Sequence, residues 1–77
     1  MNLKINNNSY ISIDCHQHDI DWVKKKFMFI PKNLRADTAK KYSIEFNNHN
    51  GDLKEVGRAR RLANTKLLRY VNKLKGK

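Results

Sequence analysis

The chain has 77 residues, so we expect one small domain with a single core and no room for a deep catalytic cleft. It carries seventeen Lys and Arg against seven Asp and Glu, and the net charge is +10. The one cysteine, Cys15, excludes an internal disulfide and suits a reducing compartment. No apolar run approaches the roughly 20 residues of a membrane span. The N-terminal residues lack the apolar stretch of a signal peptide, so we expect a cytoplasmic protein.

The positive charge increases along the chain. Residues 1–20 carry a net charge of −1, residues 21–50 of +4, and residues 51–77 of +7. A polyanion is the natural partner of such a chain, because each Lys or Arg that neutralises a phosphate releases condensed counterions. The alternative is a charged surface that only keeps the protein in solution. The asymmetry favours a nucleic-acid partner.

The first residues predict a hairpin. Strand-prone residues 3–5 and 10–13 flank the turn-forming segment Asn6–Ser9. An isolated hairpin is marginal in water, so it needs helices to pack against. The fold class we expect is mainly α: a small three-helix domain, with or without this short N-terminal β-hairpin. We accordingly divide the chain into an N-terminal extension or hairpin, residues 1–18, and a three-helix nucleic-acid-binding domain, residues 19–77.

Two helices are predicted in the middle of the chain. The first begins near Asp19 or Asp21, either of which suits an N-cap, and runs to about Phe29. Pro31 ends it, and the second helix runs from residue 31 or 33 to Asn47. Apolar residues recur at helical spacing in both. The predicted buried positions of the second helix are Leu34, Ala39, Tyr42 and Phe46.

The third helix has the strongest periodicity. We expect it to begin at Asp52 as N-cap, with Glu55 completing a capping-box-like arrangement, and to run to about Lys75. Its predicted buried side contains Leu53, Val56, Ala63, Leu67, Tyr70 and Leu74.

The opposite side of the third helix is basic and polar. At 100° per residue, one band of about 80° contains Lys54, Arg58, Arg61, Thr65, Arg69 and Asn72, with Arg60, Asn64 and Lys73 beside it. An α-helix fits the major groove of DNA, where Arg bonds to guanine and Asn bonds to adenine. Ordinary solvated helix faces mix charges of both signs, but the last acidic residue of this chain is Glu55. The band is therefore our predicted nucleic-acid contact.

A second basic population lies in the first two helices. It comprises Lys24, Lys25, Lys26, Lys32, Arg35, Lys40 and Lys41. These side chains are candidates for phosphate contacts, which position a protein on DNA without reading its sequence. We include Lys24, Lys25, Lys40 and Lys41 in the predicted binding site. Simple solvation is the alternative for each of them.

Aromatic residues are expected to build the core, because a small domain needs their mass. This prediction covers Phe27, Phe29, Tyr42, Phe46 and Tyr70. Tyr10 and Trp22 are the aromatic residues that we keep as candidates for stacking on nucleic-acid bases.

Residues 15–19, Cys-His-Gln-His-Asp, contain the side-chain types that bind zinc. A structural zinc site pairs ligands from two separated segments, and only His49 lies elsewhere. No Gly-rich phosphate loop and no paired carboxylates accompany them. We therefore expect no metal, no cofactor and no enzymatic activity.

One order of residues resembles a known family. It consists of Trp22, Ile30-Pro31-x-x-Leu34-Arg35, Ala39-x-x-Tyr42 and Gly57-Arg58-x-Arg60-Arg61-x-Ala63-Asn64-x-x-Leu67-Leu68. This order resembles a short helical segment of bacteriophage replication initiators of the rolling-circle type, over about residues 20–72. The catalytic His and Tyr motifs of the nuclease part of such proteins are missing. The resemblance implies a binding or docking module in the replication of a phage or mobile element.

The sequence leaves three functions open. The leading prediction is a sequence-specific or structure-specific DNA-binding domain of a replication or regulatory protein. RNA binding suits a basic helix equally well. The third is a phage inhibitor or docking module that binds a host or phage protein through apolar residues off the core stripes: Trp22, Phe29, Leu62 and Leu68.

Overall fold

A computed structural model describes residues 1–6, 9–48 and 56–76. Within these ranges the chain forms a β-hairpin followed by three α-helices, which confirms the predicted mainly α fold class with its N-terminal hairpin. The elements are β1 (Asn2–Asn6), β2 (Ser9–Ser12), a 3₁₀ turn (Gln17–Asp19), α1 (Ile20–Phe27), α2 (Lys32–Asn48) and α3 (Val56–Lys75).

The hairpin supplies one side of the core. β1 and β2 are antiparallel, with Leu3 opposite Ile11 and an irregularity in the pairing between Lys4 and Asn6. Alternate residues point inward, so Leu3, Ile5, Ile11 and Ile13 are buried while their neighbours are exposed. β1 packs against α1 and β2 against α2. The helices thus provide the apolar support that a two-stranded hairpin lacks alone.

The helices close the core from the other side. Both ends of α1 contact α3, through Asp19 with Arg60 and through Phe29 with Lys75, so the two helices run in the same direction. α2 packs along α3. The buried helical residues are Val23, Phe27, Ala39, Tyr42, Phe46, Ala59, Ala63, Leu67 and Val71.

The predicted core of α3 is correct for part of its length. Ala63 and Leu67 are buried as predicted, and the buried residues Ala59 and Val71 continue their row. Tyr70 and Leu74 are half-buried, as is Leu34 of α2. The predicted helix start at Asp52, the capping residue Glu55, Leu53 and the side chain of Val56 lie outside the described residues.

The end of α1 differs from the prediction. The helix stops at Phe27, and a short turn leads to Ile30, which is 1% exposed. Phe29 lies in that turn with 52% of its surface exposed, so its assignment to the core is wrong. Ile30 occupies the buried place because the chain leaves helical geometry ahead of Pro31.

The sequence groups Arg35 with the neighbouring lysines as a candidate phosphate contact, but it is buried and bonded inside the domain. It is 8% exposed, and its Nε donates hydrogen bonds to the carbonyl oxygens of Phe27 (3.0 Å) and Ile30 (2.9 Å). Its Nη1 donates to Ser9 Oγ at 2.9 Å. The guanidinium therefore binds carbonyls at the negative end of α1 and in the turn that follows it, and it joins this region to the hairpin.

We predict that Arg35→Ala lowers the free energy of unfolding by about 2–4 kcal/mol, because it removes three buried hydrogen bonds to a charged group. Urea denaturation followed by circular dichroism measures the loss. Lys32→Ala on the same helix is the control, since Lys32 is exposed. Equal stability of the two variants would refute this role of Arg35.

Candidate nucleic-acid interface

The outer side of α3 contains most of the predicted contact residues. Arg58, Arg61, Arg69 and Asn72 are exposed, and Thr65 is half-buried. They lie opposite the buried row of Ala59, Ala63, Leu67 and Val71, as the 100° periodicity requires. Lys73 is exposed beside them. Lys54 lies outside the described residues.

Little negative charge accompanies this surface. The helix over residues 56–75 contains seven basic residues and no acidic one. Among the residues that the structure describes, Arg61, Arg69 and Lys73 pair with no carboxylate. Lys66, which lies toward α2, pairs instead with Glu45 at 2.9 Å. We name Arg61, Thr65, Arg69, Asn72 and Lys73 the outer face of α3.

Arg60 and Asn64 are engaged inside the domain. Arg60 donates from Nε and Nη2 to the two carboxylate oxygens of Asp19, both at 2.9 Å. Asn64 Nδ2 donates to the same carboxylate at 3.1 Å, and Asn64 Oδ1 accepts a hydrogen bond from the hydroxyl of Tyr42. These four side chains form a network that joins the start of α1 to α2 and α3.

The electrostatics of this network keep each donor and acceptor in its role. The Arg60 guanidinium, followed by the Asn64 amide, holds the pKa of the Asp19 carboxyl below its usual range against the effect of burial. Burial raises the pKa of Tyr42 far above that of a free tyrosine, so its hydroxyl remains a donor. A donating hydroxyl fixes Asn64 Oδ1 as acceptor and directs its Nδ2 toward Asp19.

Asp19 itself departs from the predicted capping role. It stands at the N-cap position of α1, but its side chain makes no capping hydrogen bond. The carboxylate is taken up by Arg60 and Asn64, more than forty residues away in the sequence. The capping side chain in this region is His16, whose Nδ1 accepts from the backbone N–H of His18 at 3.1 Å and opens the 3₁₀ turn.

The four predicted lysines outside α3 lie on the other two helices, Lys24 and Lys25 on α1 and Lys40 and Lys41 on α2. Lys40 lies beside β2, and Lys41 pairs with Asp37 at 3.1 Å. On α1, Lys25 is exposed and Lys24 half-buried.

Two lysines lie over aromatic rings of α1 and of the turn that follows it. Lys26 Nζ lies 5.6 Å from the ring centre of Trp22, and Lys75 Nζ lies 4.1 Å from that of Phe29. Phe29 and Leu68 are exposed, whereas Trp22 packs partly against the core. Leu62 is half-buried on the other side of the outer face. Two of the four apolar residues in the protein-docking hypothesis are therefore available at the surface.

The Cys-His segment forms no metal centre among the described residues. Cys15 is buried, which raises the pKa of its thiol, and Asp19 is bound by Arg60. Across residues 1–6, 9–48 and 56–76, no three His, Cys, Asp or Glu side chains are placed to share an ion. His49 lies outside the described residues. None of the described helices has the length and apolar character needed to cross a membrane.

Comparison with known proteins identified no similar protein. No protein-family model matches the chain, and no curated protein or solved structure is significantly similar to it. The interface is therefore argued from its own geometry and charge.

We predict that Asp19→Asn lowers the free energy of unfolding by about 2 kcal/mol at neutral pH, because Arg60 loses its bidentate partner. Asp21→Asn is the matched control, since Asp21 is exposed and only two residues away. Chemical denaturation of both variants measures the difference. A loss no larger than that of the control would contradict the structural role of the network.

The same comparison has a defined pH dependence. The pKa of Asp19 is lowered in the folded state, so its stabilisation is fully present above the unfolded value of about 3.9 and is lost as the pH falls through the folded pKa. We expect the stability difference between wild type and Asp19→Asn to be constant above about pH 5 and to shrink below about pH 4. A difference that grows with acidification would have the wrong sign.

Proposed function

We propose that this protein binds double-stranded DNA through the outer face of α3. The observation that carries the proposal is the uncompensated positive charge of that face: Arg61, Arg69 and Lys73 are exposed and pair with no carboxylate in the part of the chain that is described. A phosphate backbone supplies the missing negative charge, and displaced counterions add to the affinity.

The dimensions of α3 suit this partner. Its twenty residues extend over about 30 Å, and a helix of this diameter enters the major groove. Arg61, Arg69 and Lys73 are assigned to phosphates, and Asn72 and Thr65 to base edges through hydrogen bonds. Arg60 and Asn64 are assigned a positioning role, because their polar groups hold α3 against Asp19.

The resemblance to rolling-circle replication initiators adds a biological setting to this proposal. The matching residues Arg58 and Arg61 lie on the outer side of α3, whereas Arg60, Ala63, Asn64 and Leu67 face the interior or the network. We place the protein in the replication or regulation of a phage or mobile element, as a module that binds DNA without cutting it.

We predict that replacing Arg61, Arg69 and Lys73 together by Gln weakens binding to duplex DNA at least about a hundredfold at low salt. The slope of log K against log salt concentration becomes shallower by about 3, since three phosphate contacts are lost. Fluorescence anisotropy with a labelled duplex measures both quantities across a salt series.

The control removes an equal charge from other elements. Lys4 on β1 and Lys32 and Lys40 on the hairpin side of α2 are all exposed, and they are replaced by Gln together. We expect this variant to retain most of the affinity and nearly the full salt slope. Equal losses in the two triple variants would show general attraction to a basic protein and would refute an interface on α3.

Two further measurements separate the competing functions. Binding of an RNA duplex of matched sequence more tightly than the DNA duplex would move the assignment to RNA. A second candidate function, docking on a protein, is favoured by the exposed rings and side chains of Phe29 and Leu68. A salt-insensitive complex that is lost in a Phe29→Ala, Leu68→Ala double variant and kept in the Gln triple variant would select it.

A further inference from the structure

A groove of about 590 Å³ separates β2 from α2, on the side of α2 that faces the hairpin. Its lining includes every residue from Ser9 to Asp14 and the side of α2 that contains Lys32, Ala36 and Lys40. Because both the inward-facing and the outward-facing residues of β2 contribute, the groove runs along the edge of this strand.

The hydrogen-bond register shows which backbone groups face the groove. Met1 and Ile13 exchange two bonds, from Ile13 N to Met1 O (2.9 Å) and from Met1 N to Ile13 O (3.2 Å). In an antiparallel ladder the bonded pairs alternate, so the N–H and C=O groups of Tyr10 and Ser12 point away from β1. The next N–H in this series, that of Asp14, donates to Ser43 Oγ of α2 at 2.8 Å. The backbone groups of Tyr10 and Ser12 therefore border the groove, whereas the N–H of Asp14 is already bonded to α2.

The groove is positively charged. Lys32 and Lys40 are exposed at its α2 wall, and the nearly buried Arg35 reaches it from below. Arg35 has carbonyl and hydroxyl partners, but among the described residues it has no carboxylate. Asp14 is the one acidic residue in the described lining, and the N-terminal ammonium (3.7 Å) and the Asn47 amide (2.9 Å) already contact its carboxylate.

We propose that this groove binds an extended acidic peptide, which adds as a third strand to the edge of β2. The backbone of the peptide pairs with Tyr10 and Ser12, and its Asp or Glu side chains meet Lys32 and Lys40. Its alternate side chains, which are apolar, pack on Ala36 and on Ile44, which is 52% exposed. Strand addition of this kind draws affinity from main-chain bonds and specificity from the side chains.

This site does not depend on DNA binding by α3. The groove uses the side of α2 that contacts the hairpin, whereas α3 packs against a different side through Tyr42 and Glu45. The two activities therefore have separate residues and separate variants.

The test uses the full chain labelled with ¹⁵N and a synthetic hexapeptide of alternating valine and glutamate. We expect saturable amide shifts in β2 with a dissociation constant below about 1 mM, and slower hydrogen exchange at the amides of Tyr10 and Ser12. The control hexapeptide, alternating valine and lysine, is expected to give no saturable shifts there. A second control carries N-methyl groups on the peptide backbone and is expected to bind about tenfold more weakly, because it cannot complete the strand pairing.

A pair of charge-reversed variants identifies the groove. Lys32→Glu with Lys40→Glu is expected to weaken binding of the acidic hexapeptide about tenfold or more. Lys4→Glu with Lys41→Glu makes the same change in net charge outside the groove and is expected to retain most of the affinity. Far-ultraviolet circular dichroism confirms that both variants are folded.

Three outcomes would overturn the proposal. They are shifts confined to α3, affinity that is insensitive to N-methylation, and equal losses in the two charge-reversed variants. Each would show general attraction of an acidic peptide to a basic protein. We expect the Lys32→Glu, Lys40→Glu double variant to bind duplex DNA with a salt slope close to that of the wild type. Failure of the peptide proposal is thereby distinguished from failure of the DNA-binding proposal for α3.

Discussion

The position of α3 depends on one carboxylate. Asp19 precedes α1, yet its two oxygens accept from Arg60 and Asn64 on α3, and Asn64 in turn accepts from Tyr42 on α2. The apolar row of α3 contains two alanines, which offer little shape to define how the helix is rotated. The directional hydrogen bonds of Arg60 and Asn64 to Asp19 fix the rotation of α3 about its axis. They therefore also determine which side of α3 faces solvent.

The distribution of positive charge follows from the same arrangement. A chain of net charge +10 has few carboxylates to distribute, and the structure uses them at specific points: Asp19 on Arg60, Glu45 on Lys66 and Asp37 on Lys41. Among the described residues without a carboxylate partner, Arg61, Arg69 and Lys73 lie on the outer face of α3, and Lys32 and Lys40 lie in the groove beside β2. Internal bonds thus determine where unneutralised charge collects, and both proposals rest on those two places.

Periodicity predicted the elements of this fold well and its polar contacts poorly. The hairpin, the three helices and the buried positions Ala39, Tyr42, Phe46, Ala63 and Leu67 follow from spacing that the sequence displays directly. The spacing of Arg35 indicates a buried position, although its charge groups it with the exposed lysines. It falls at helical spacing with Ala39, Tyr42 and Phe46, on the inner face of α2. No local pattern links Asp19 to Arg60, because their bond joins distant segments.

The buried guanidinium of Arg35 also bears on how the domain unfolds. It bonds to the hairpin through Ser9 and also to the carbonyls of Phe27 and Ile30, at the end of α1 and in the turn after it. If either element separated alone, Arg35 would lose hydrogen bonds while its charge stayed in an apolar interior. We therefore expect the hairpin and the end of α1 to unfold together as one cooperative unit. In hydrogen exchange, the amides of this two-stranded sheet should then be protected to the same degree as those at the end of α1.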